Sequence, residues 1–471
     1  MQKAIPGYHK HNIFRTEPGL SGRIKLAAIS LGCSKNRIDT EEILGYLADK
    51  GFILTDHYRF ADVILVNTCG FIDQAQQESI NTILQVAENT GSNKPKIVAA
   101  GCLVEVFGNK IIKNVAAIDG AIGVHSYSSL DQFMKLLLSG KRTVIKKSPA
   151  NMYQSLSSRV LTTPVHTASV KIADGCSNRC HYCLIPRIRG PYRSREPEEI
   201  VAEINDLLDR GTAEINLIAQ DTTAYGSEKD SLPNLSGLIK KILKLDRTFR
   251  LRIMYTYPSR IDDQLIELIG SESRICNYLD IPIQHSSDQM LERMGRLYNR
   301  QQLTELLSTL RRRIPDIALR TTVMVGYPGE TRSHFRDLLQ FIEDNPFENL
   351  GAFTYSRQDG TIAGNINEQV PGRVAAKRYR ELMLKQKRLA RIVNKKYMGK
   401  QLDILVEGTS QFYGNWYYGR SQYQAPEVDG LVYFRSPVDL KPGIRILAKI
   451  DAVSPYNLLA YNMTTLEKKP D

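Results

Sequence analysis

No apolar run of about 18 residues occurs in this 471-residue chain, which excludes a membrane-spanning helix. The opening stretch from Met1 to Gly22 has no apolar h-region, so it reads as a loose polar leader and not as a secretory signal. Cysteine is scarce: seven, an odd number, in a long chain without an export signal. That argues against a disulfide framework and for reduced thiols in the cytoplasm, available to metals. What remains is an ordinary soluble composition, 42% hydrophobic and 24% charged, long enough for about three domains.

Three of the seven cysteines fall within eight residues, Cys176-Ser177-Asn178-Arg179-Cys180-His181-Tyr182-Cys183. The run follows an alternating apolar stretch, Ala168 to Ala173, that reads as a strand. Three thiolates on one loop can face a common point, and such soft ligands suit iron–sulfur clusters or zinc. A structural zinc site asks for a fourth Cys or His, and His181, between two ligands, is expected to point away. A cluster held by three thiolates keeps one iron open, which suits catalysis; the alternative is a zinc knuckle or three unrelated cysteines.

From Arg23 to about Ser139 strand and helix patterns alternate. Strands are expected at Ile24–Leu31, Val63–Asn67, Lys96–Ala100 and near Ala121–Val124, with helices over about 37–50, 74–89 and 129–138. This is the pattern of a parallel α/β sheet. Cys33, Cys69 and Cys102 stand at matching places after three of these strands, beside Gly32, Gly70 and Gly101. All strand C-termini of a parallel sheet share one edge, so the three thiols are expected to meet there and hold a second cluster. Three separately buried cysteines are the alternative. Residues from about 140 to 163, with Lys141, Arg142, Lys146 and Lys147, read as a polar connector.

From Pro164 to about Val370 the alternation resumes with six strands, short of an eight-stranded barrel. Gln220, Asp221, Tyr257, Pro258, Gln284, His285 and the run Gly326 to Glu330 fall at strand C-termini. His285 reads equally as a site residue or as a structural hydrogen-bonder, and Cys276 as a core residue. From Tyr397 onward, short strands separated by Gly, Pro and Asp turns indicate a small β-barrel.

The net charge of +13 invites a nucleic-acid reading, but ten Lys or Arg against Glu381 alone fall between Gly372 and Lys396. That stretch reads as an amphipathic basic helix, either a solvated linker or an RNA contact. The terminal region from Tyr397 has eight basic and eight acidic residues, so its charge gives no phosphate attraction. Its aromatic group, Phe412, Tyr413, Trp416, Tyr417 and Tyr418, reads more readily as barrel core or a protein contact than as a base-stacking platform. The acidic turn Ala425–Gly430, with Glu427 and Asp429, is expected to attract a basic protein.

The C-x3-C-x2-C spacing, with an aromatic before its last Cys, resembles the radical S-adenosylmethionine (SAM) superfamily. Together with the N-terminal three-Cys domain and the terminal barrel, the order from Ile24 to Leu466 is similar to that of the methylthiotransferase family. The resemblance implies a partial (βα)6 TIM-like barrel over 162–392, an N-terminal methylthiotransferase domain over 23–140 and a TRAM-like β-barrel over 396–467. It implies two 4Fe-4S clusters, on Cys176, Cys180 and Cys183 and on Cys33, Cys69 and Cys102. It further implies SAM cleaved to a 5′-deoxyadenosyl radical, with Tyr182, Gln220, Asp221, Gln284 and His285 assigned to the SAM pocket. One branch of the family modifies an adenosine of tRNA, the other the β-carbon of an aspartate on the twelfth small-subunit ribosomal protein. Cys33-Ser34-Lys35-Asn36 with Asp39-Thr40-Glu41, Gln220-Asp221-Thr222-Thr223, and Gly419-Arg420-Ser421 with Ala425 to Gly430 resemble the ribosomal-protein branch, although Ser34 stands where that branch has Pro. The implied partners are that ribosomal protein, a flavodoxin- or ferredoxin-type electron donor and a sulfur donor, with nucleic-acid contact possible but not favoured, and no membrane. An RNA-binding iron–sulfur protein without catalysis is the alternative from another class.

Overall fold

The computed structural model describes residues 24–90, 94–149, 156, 158–410, 415–461 and 463–465. The leader Met1–Gly22 and the aromatics Phe412 and Tyr413 lie outside the described residues.

The first unit is a six-stranded sheet in the order Ile53–Leu54, Lys25–Ser30, Val63–Thr68, Lys96–Gly101, Gly120–Ile122 and Thr143–Ile145. Every pairing is parallel. Val63–Thr68 is buried along its whole length, as a central strand covered on both faces must be. The sheet has two strands more than the four expected. Ile53–Leu54 is too short to show a period. Thr143–Ile145 lies in the stretch read as a connector, and it carries the sheet past residue 140. It adds to the edge by backbone pairing with Gly120–Ile122 in spite of flanking Lys and Arg.

The second unit is a sheet of six strands in sequential order, Thr167–Lys171, Glu214–Ile218, Arg250–Ile253, Ile275–Asp280, Ala318–Val325 and Asn349–Thr354, all parallel. Helices between them start on side-chain caps at Asn234, Asp262, Asn299 and Thr331. Successive strands with a helix after each give a partial (βα)6 barrel that does not close. Both open edges are covered, one of them by a helix of the first unit. The Ser34–Asp49 helix packs beside Thr167–Lys171, and the Gly372–Asn394 helix packs on Asn349–Thr354. Cys276 lies inside a strand, not before it, and is buried in the core.

The terminal unit is a curled seven-stranded sheet. Trp416 and Tyr417 are buried, and Tyr417 stacks on Phe434 with centroids 5.9 Å apart. Trp416 and Tyr417 are thus core, while Tyr418 is half-buried. This unit is fastened to the barrel by charge. Along Arg250–Ile253, Leu251 and Ile253 face the helix-backed core, while Arg250 and Arg252 face the terminal sheet. Glu214 receives Arg252 at 3.2 Å and Arg420 at 2.7 Å, all three fully buried. Part of the acidic turn belongs to the same fastening, and this corrects the expectation for Asp429, which is not free to meet a partner protein, while Glu427 stays about half exposed. The Asp429 carboxylate is buried, accepts from Tyr278 Oη at 2.7 Å and from Ala425 N at 2.8 Å, and lies 3.3 Å from Arg320. Glu427 pairs at 2.5 Å with Arg37 of the first unit.

Candidate active site

The loop from Cys176 to Cys183 leaves the short strand Ala173–Asp174 at the C-terminal edge of the barrel sheet and is closed by the helix Ile185–Arg189. It is held on every side. Asn178 Nδ2 donates to Asp221 Oδ2 at 2.8 Å, and Arg260 reaches the same oxygen at 2.5 Å. His181 turns away from the thiols: its N donates to Met294 O at 3.0 Å, and its Nδ1 lies 2.9 Å from Arg293 O. Arg296 Nη1 lies 3.3 Å from Cys180 Sγ while its Nη2 donates to Pro282 O. A fixed cation thus stands beside the thiols, where thiolates would carry negative charge.

Of the five residues assigned to the SAM pocket, Tyr182 belongs to the loop itself, and Gln220 and Gln284 follow strands of the same sheet. Tyr182 packs edge-to-face against Tyr327, in a cluster with Met290 and Met294. Gln220 Nε2 donates to Asp174 Oδ1 at 3.0 Å, while its buried Oε1 has no protein partner. Gln284 takes a left-handed conformation, φ 66°, seated by a bridge to Val323, strain of the kind that clusters where a side chain must be aimed. The other two face protein. Asp221 is buried and already accepts from Asn178, Arg260 and Thr223. His285 is fully buried, its Nδ1 accepting from the amides of Ser286 and Ser287 at 2.9 and 3.0 Å, which leaves the ring proton on Nε2, 3.4 Å from Glu330 Oε1. Nε2 and Glu330 Oε1 are both buried and make no hydrogen bond among the described residues. Glu330 in turn accepts from Gly326 N at 2.6 Å and from Arg378, fixing the Gly326–Glu330 loop.

Cys33, Cys69 and Cys102 follow strands Lys25–Ser30, Val63–Thr68 and Lys96–Gly101 and share one edge of the first sheet. Glycine makes their approach feasible. A Cβ on Gly32, φ +88°, would come within 2.9 Å of Cys69 Cβ, and one on Gly70 within 2.8 Å of Cys102 O. Asn36 ties the three loops together, donating to Leu31 O and Thr68 O at 3.1 and 2.9 Å and standing 3.4 Å from Cys102 Sγ. Burial pushes the Cys102 and Cys183 thiols up to about 12 and Cys176 to about 11. Free thiols here keep their protons, and only a metal displaces them. Among the described residues no three donors surround a single ion. A cubane takes its three thiolates through three different irons, so both soft donor triplets fit a cluster.

The two triplets lie on facing edges. Cys102 shares a buried apolar cluster with Leu184 and Ile188, from the segment just after Cys183. Arg189, at the end of that helix, meets Asp39 at 2.7 Å, Asp174 at 3.2 Å, Asn36 Oδ1 at 2.5 Å and Cys102 Sγ at 3.6 Å. Lys171 meets Asp39 at 2.5 Å. The sequence alone marked Asn36 and Asp39 only as parts of a motif and did not single out Arg189. An Arg six residues after the last cysteine of a thiol loop is also what a solvated helix shows, and only burial separates the two.

Three family models match in tandem: Uncharacterized protein family UPF0004 over residues 25–123, the Radical SAM superfamily over 170–342 and the TRAM domain over 398–462. Among solved structures, the radical S-adenosylmethionine methyltransferase TsrM from Kitasatospora setae, with cobalamin and a [4Fe-4S] cluster bound, is similar over 73% of this chain and 74% of its own, with a TM-score of 0.54 at 15% identity. Fold and thiol loop together define a radical SAM enzyme. The proteins described as ribosomal protein uS12 methylthiotransferase RimO from Thermoanaerobacter sp. (strain X514) and Clostridium acetobutylicum are 41% and 40% identical to this chain, over 92% and 93% of its length and 98% of theirs. The chain belongs to this family of SAM-dependent methylthiotransferases. Among the described residues no helix is long and apolar enough to cross a membrane.

Proposed function

We propose that this chain adds a methylthio group to the β-carbon of an aspartate of ribosomal protein uS12, with Cys176, Cys180 and Cys183 holding one 4Fe-4S cluster and Cys33, Cys69 and Cys102 a second. The observation that carries it is the juxtaposition of the two thiol triplets through Arg189 and the Leu184–Ile188 segment. When bound, the clusters and SAM supply a radical able to remove an unactivated hydrogen, and the sulfur that replaces it. The chain's own residues do the rest. The Asn178–Asp221–Arg260 contacts hold the thiol loop on the barrel rim, and the Arg189–Asp39–Lys171 contacts hold the second triplet against it. Tyr182, Gln220 and Gln284 would hold the cofactor, Gln220 with its unpartnered oxygen, while Asp221 and His285 set the loops on either side. The division into 23–140, 162–392 and 396–467 is kept, with the first unit extended through Ile145. The setting is the cytoplasm, with a flavodoxin- or ferredoxin-type electron donor and a separate sulfur donor.

The test offers anaerobically reconstituted protein, SAM, reductant and sulfide to both uS12 and tRNA. Mass spectrometry is expected to find the methylthio group on the uS12 aspartate. Methylthio-adenosine with an untouched aspartate would assign the chain to the tRNA branch.

A further inference from the structure

The Gly372–Asn394 helix carries more positive charge than its packing uses. With the turn that follows, residues 372–396 hold ten Lys or Arg against Glu381 alone. Four are taken up in ion pairs: Arg378 by Glu330, Lys385 and Arg388 by Glu343, and Lys396 by Glu348. The other six, Arg373, Lys377, Arg380, Lys387, Arg391 and Lys395, are exposed and form no ion pair among the described residues. Steps of three and four residues align them in one outward stripe. Leu384 and Ile392, 70% and 57% exposed, lie along it. The opposite face, with Ala375, Leu382, Leu389 and Ala390, is buried.

A helix face kept merely for solubility would set acids four residues from its bases. Here Arg373 with Lys377, Lys387 with Arg391, and Arg391 with Lys395 are like charges at that spacing, and each pair works against the helix. The stripe therefore costs local stability unless a polyanion covers it. Its place gives it a use. The first turn packs against the active-site rim, with Ala375 directly under Gly326. At the other end Asn394 Nδ2 donates to Pro455 O at 3.0 Å in the terminal barrel. The six cations thus span roughly 33 Å from the rim to that barrel.

Building on the function proposed above, we infer that this face binds the phosphate backbone of an RNA helix, so that the enzyme engages its protein substrate as part of an RNA–protein particle. A duplex presents about one charge per 1.7 Å of axis, so a straight line of cations finds phosphates at almost any register. An acidic peptide would have to match the spacing, and the stripe offers few groups besides charge to enforce a match. The neutral terminal barrel does not supply this attraction.

The test measures binding of a labelled short RNA duplex to the reconstituted enzyme as a function of KCl. Six phosphate contacts give a slope of log K against log salt of about −4 to −5. The variant carrying Lys377→Gln, Arg380→Gln, Lys387→Gln and Arg391→Gln is expected to lose about three to four units of that slope. The same variant, with unchanged iron content, is expected to modify uS12 in intact small ribosomal subunits at least about tenfold more slowly, and isolated uS12 at the wild-type rate. An unchanged slope, an equal rate on subunits, or tighter binding to an acidic protein or to anionic vesicles than to RNA would each overturn the inference. Failure of the wild type to modify uS12 in either form would instead overturn the proposed function, and the salt slope would stand by itself.

Discussion

Arg189 and Asp39 meet at 2.7 Å with side chains no more than 3% exposed, and they join the barrel to the first sheet at the point where the two thiol triplets face each other. Asp39 also receives Lys171, and Arg189 also reaches Asp174, whose carboxyl the neighbouring cations hold well below the usual range against the burial that would raise it. Charges this deep contribute through geometry more than through attraction alone, because each has been stripped of water.

Arg189→Ala leaves Asp174 and part of Asp39 uncompensated. The expected loss is about 3–5 kcal/mol, read as a fall in the urea midpoint of the transition that exposes the first unit. Arg189→Lys restores one charge but not the fork that reaches two carboxylates and an amide at once, so it should recover only part of the loss. An alanine variant as stable as the wild type would mean that the two sheets are held together elsewhere.

The thiol triplets are separable by chemistry. Full reconstitution is expected to give about eight irons per chain, and replacing Cys176, Cys180 and Cys183 with Ala about four. That variant should fail to cleave SAM when reduced with dithionite. Replacing Cys33, Cys69 and Cys102 should spare SAM cleavage while methylthiolation stops. Cleavage surviving the first replacement would refute the assignment of the radical cluster.

Glu214 ties stability to pH. It is buried, and although burial alone would raise its carboxyl, Arg252 and Arg420 hold it down to about 2. A carboxylate depressed from 4.5 in the folded state contributes fully above pH 4.5, and the contribution drains away as pH falls toward 2. The span corresponds to about 3 kcal/mol at most. Glu214→Gln should be less stable than the wild type near neutrality, and the gap should narrow below pH 4.5 in urea titrations run at stepped pH. A gap independent of pH would show that the glutamate acts by packing alone.

Asp429 and Glu427, neighbours in one turn, should behave differently. Asp429→Lys places a cation against Arg320 in a buried site and is expected to undock the terminal barrel, visible as new proteolytic cleavage near residue 396. Glu427→Lys breaks only the half-exposed pair with Arg37 and should cost no more than about 1 kcal/mol. Equal sensitivity to protease in the two variants would contradict the separation.

The sequence alone determined the units and their order. Strand and helix periods alternate strongly in the first two, and the thiols sit where parallel strands end, so the class of fold and both cysteine triplets were legible. The short strands Ile53–Leu54 and Thr143–Ile145 were not, because two or three residues carry no period and their place comes from backbone pairing with a neighbour. Tertiary structure alone decided the fate of the charged groups. Asp429, Arg420, Arg189 and Asp39 look in the sequence like the surface charges of Lys387 or Arg391, since a residue's type does not record whether water reaches it. Their partners come from other units of the chain, and only the packing of those units turned part of an expected protein-binding turn into an internal fastening and left the basic helix with its outward charges unmatched.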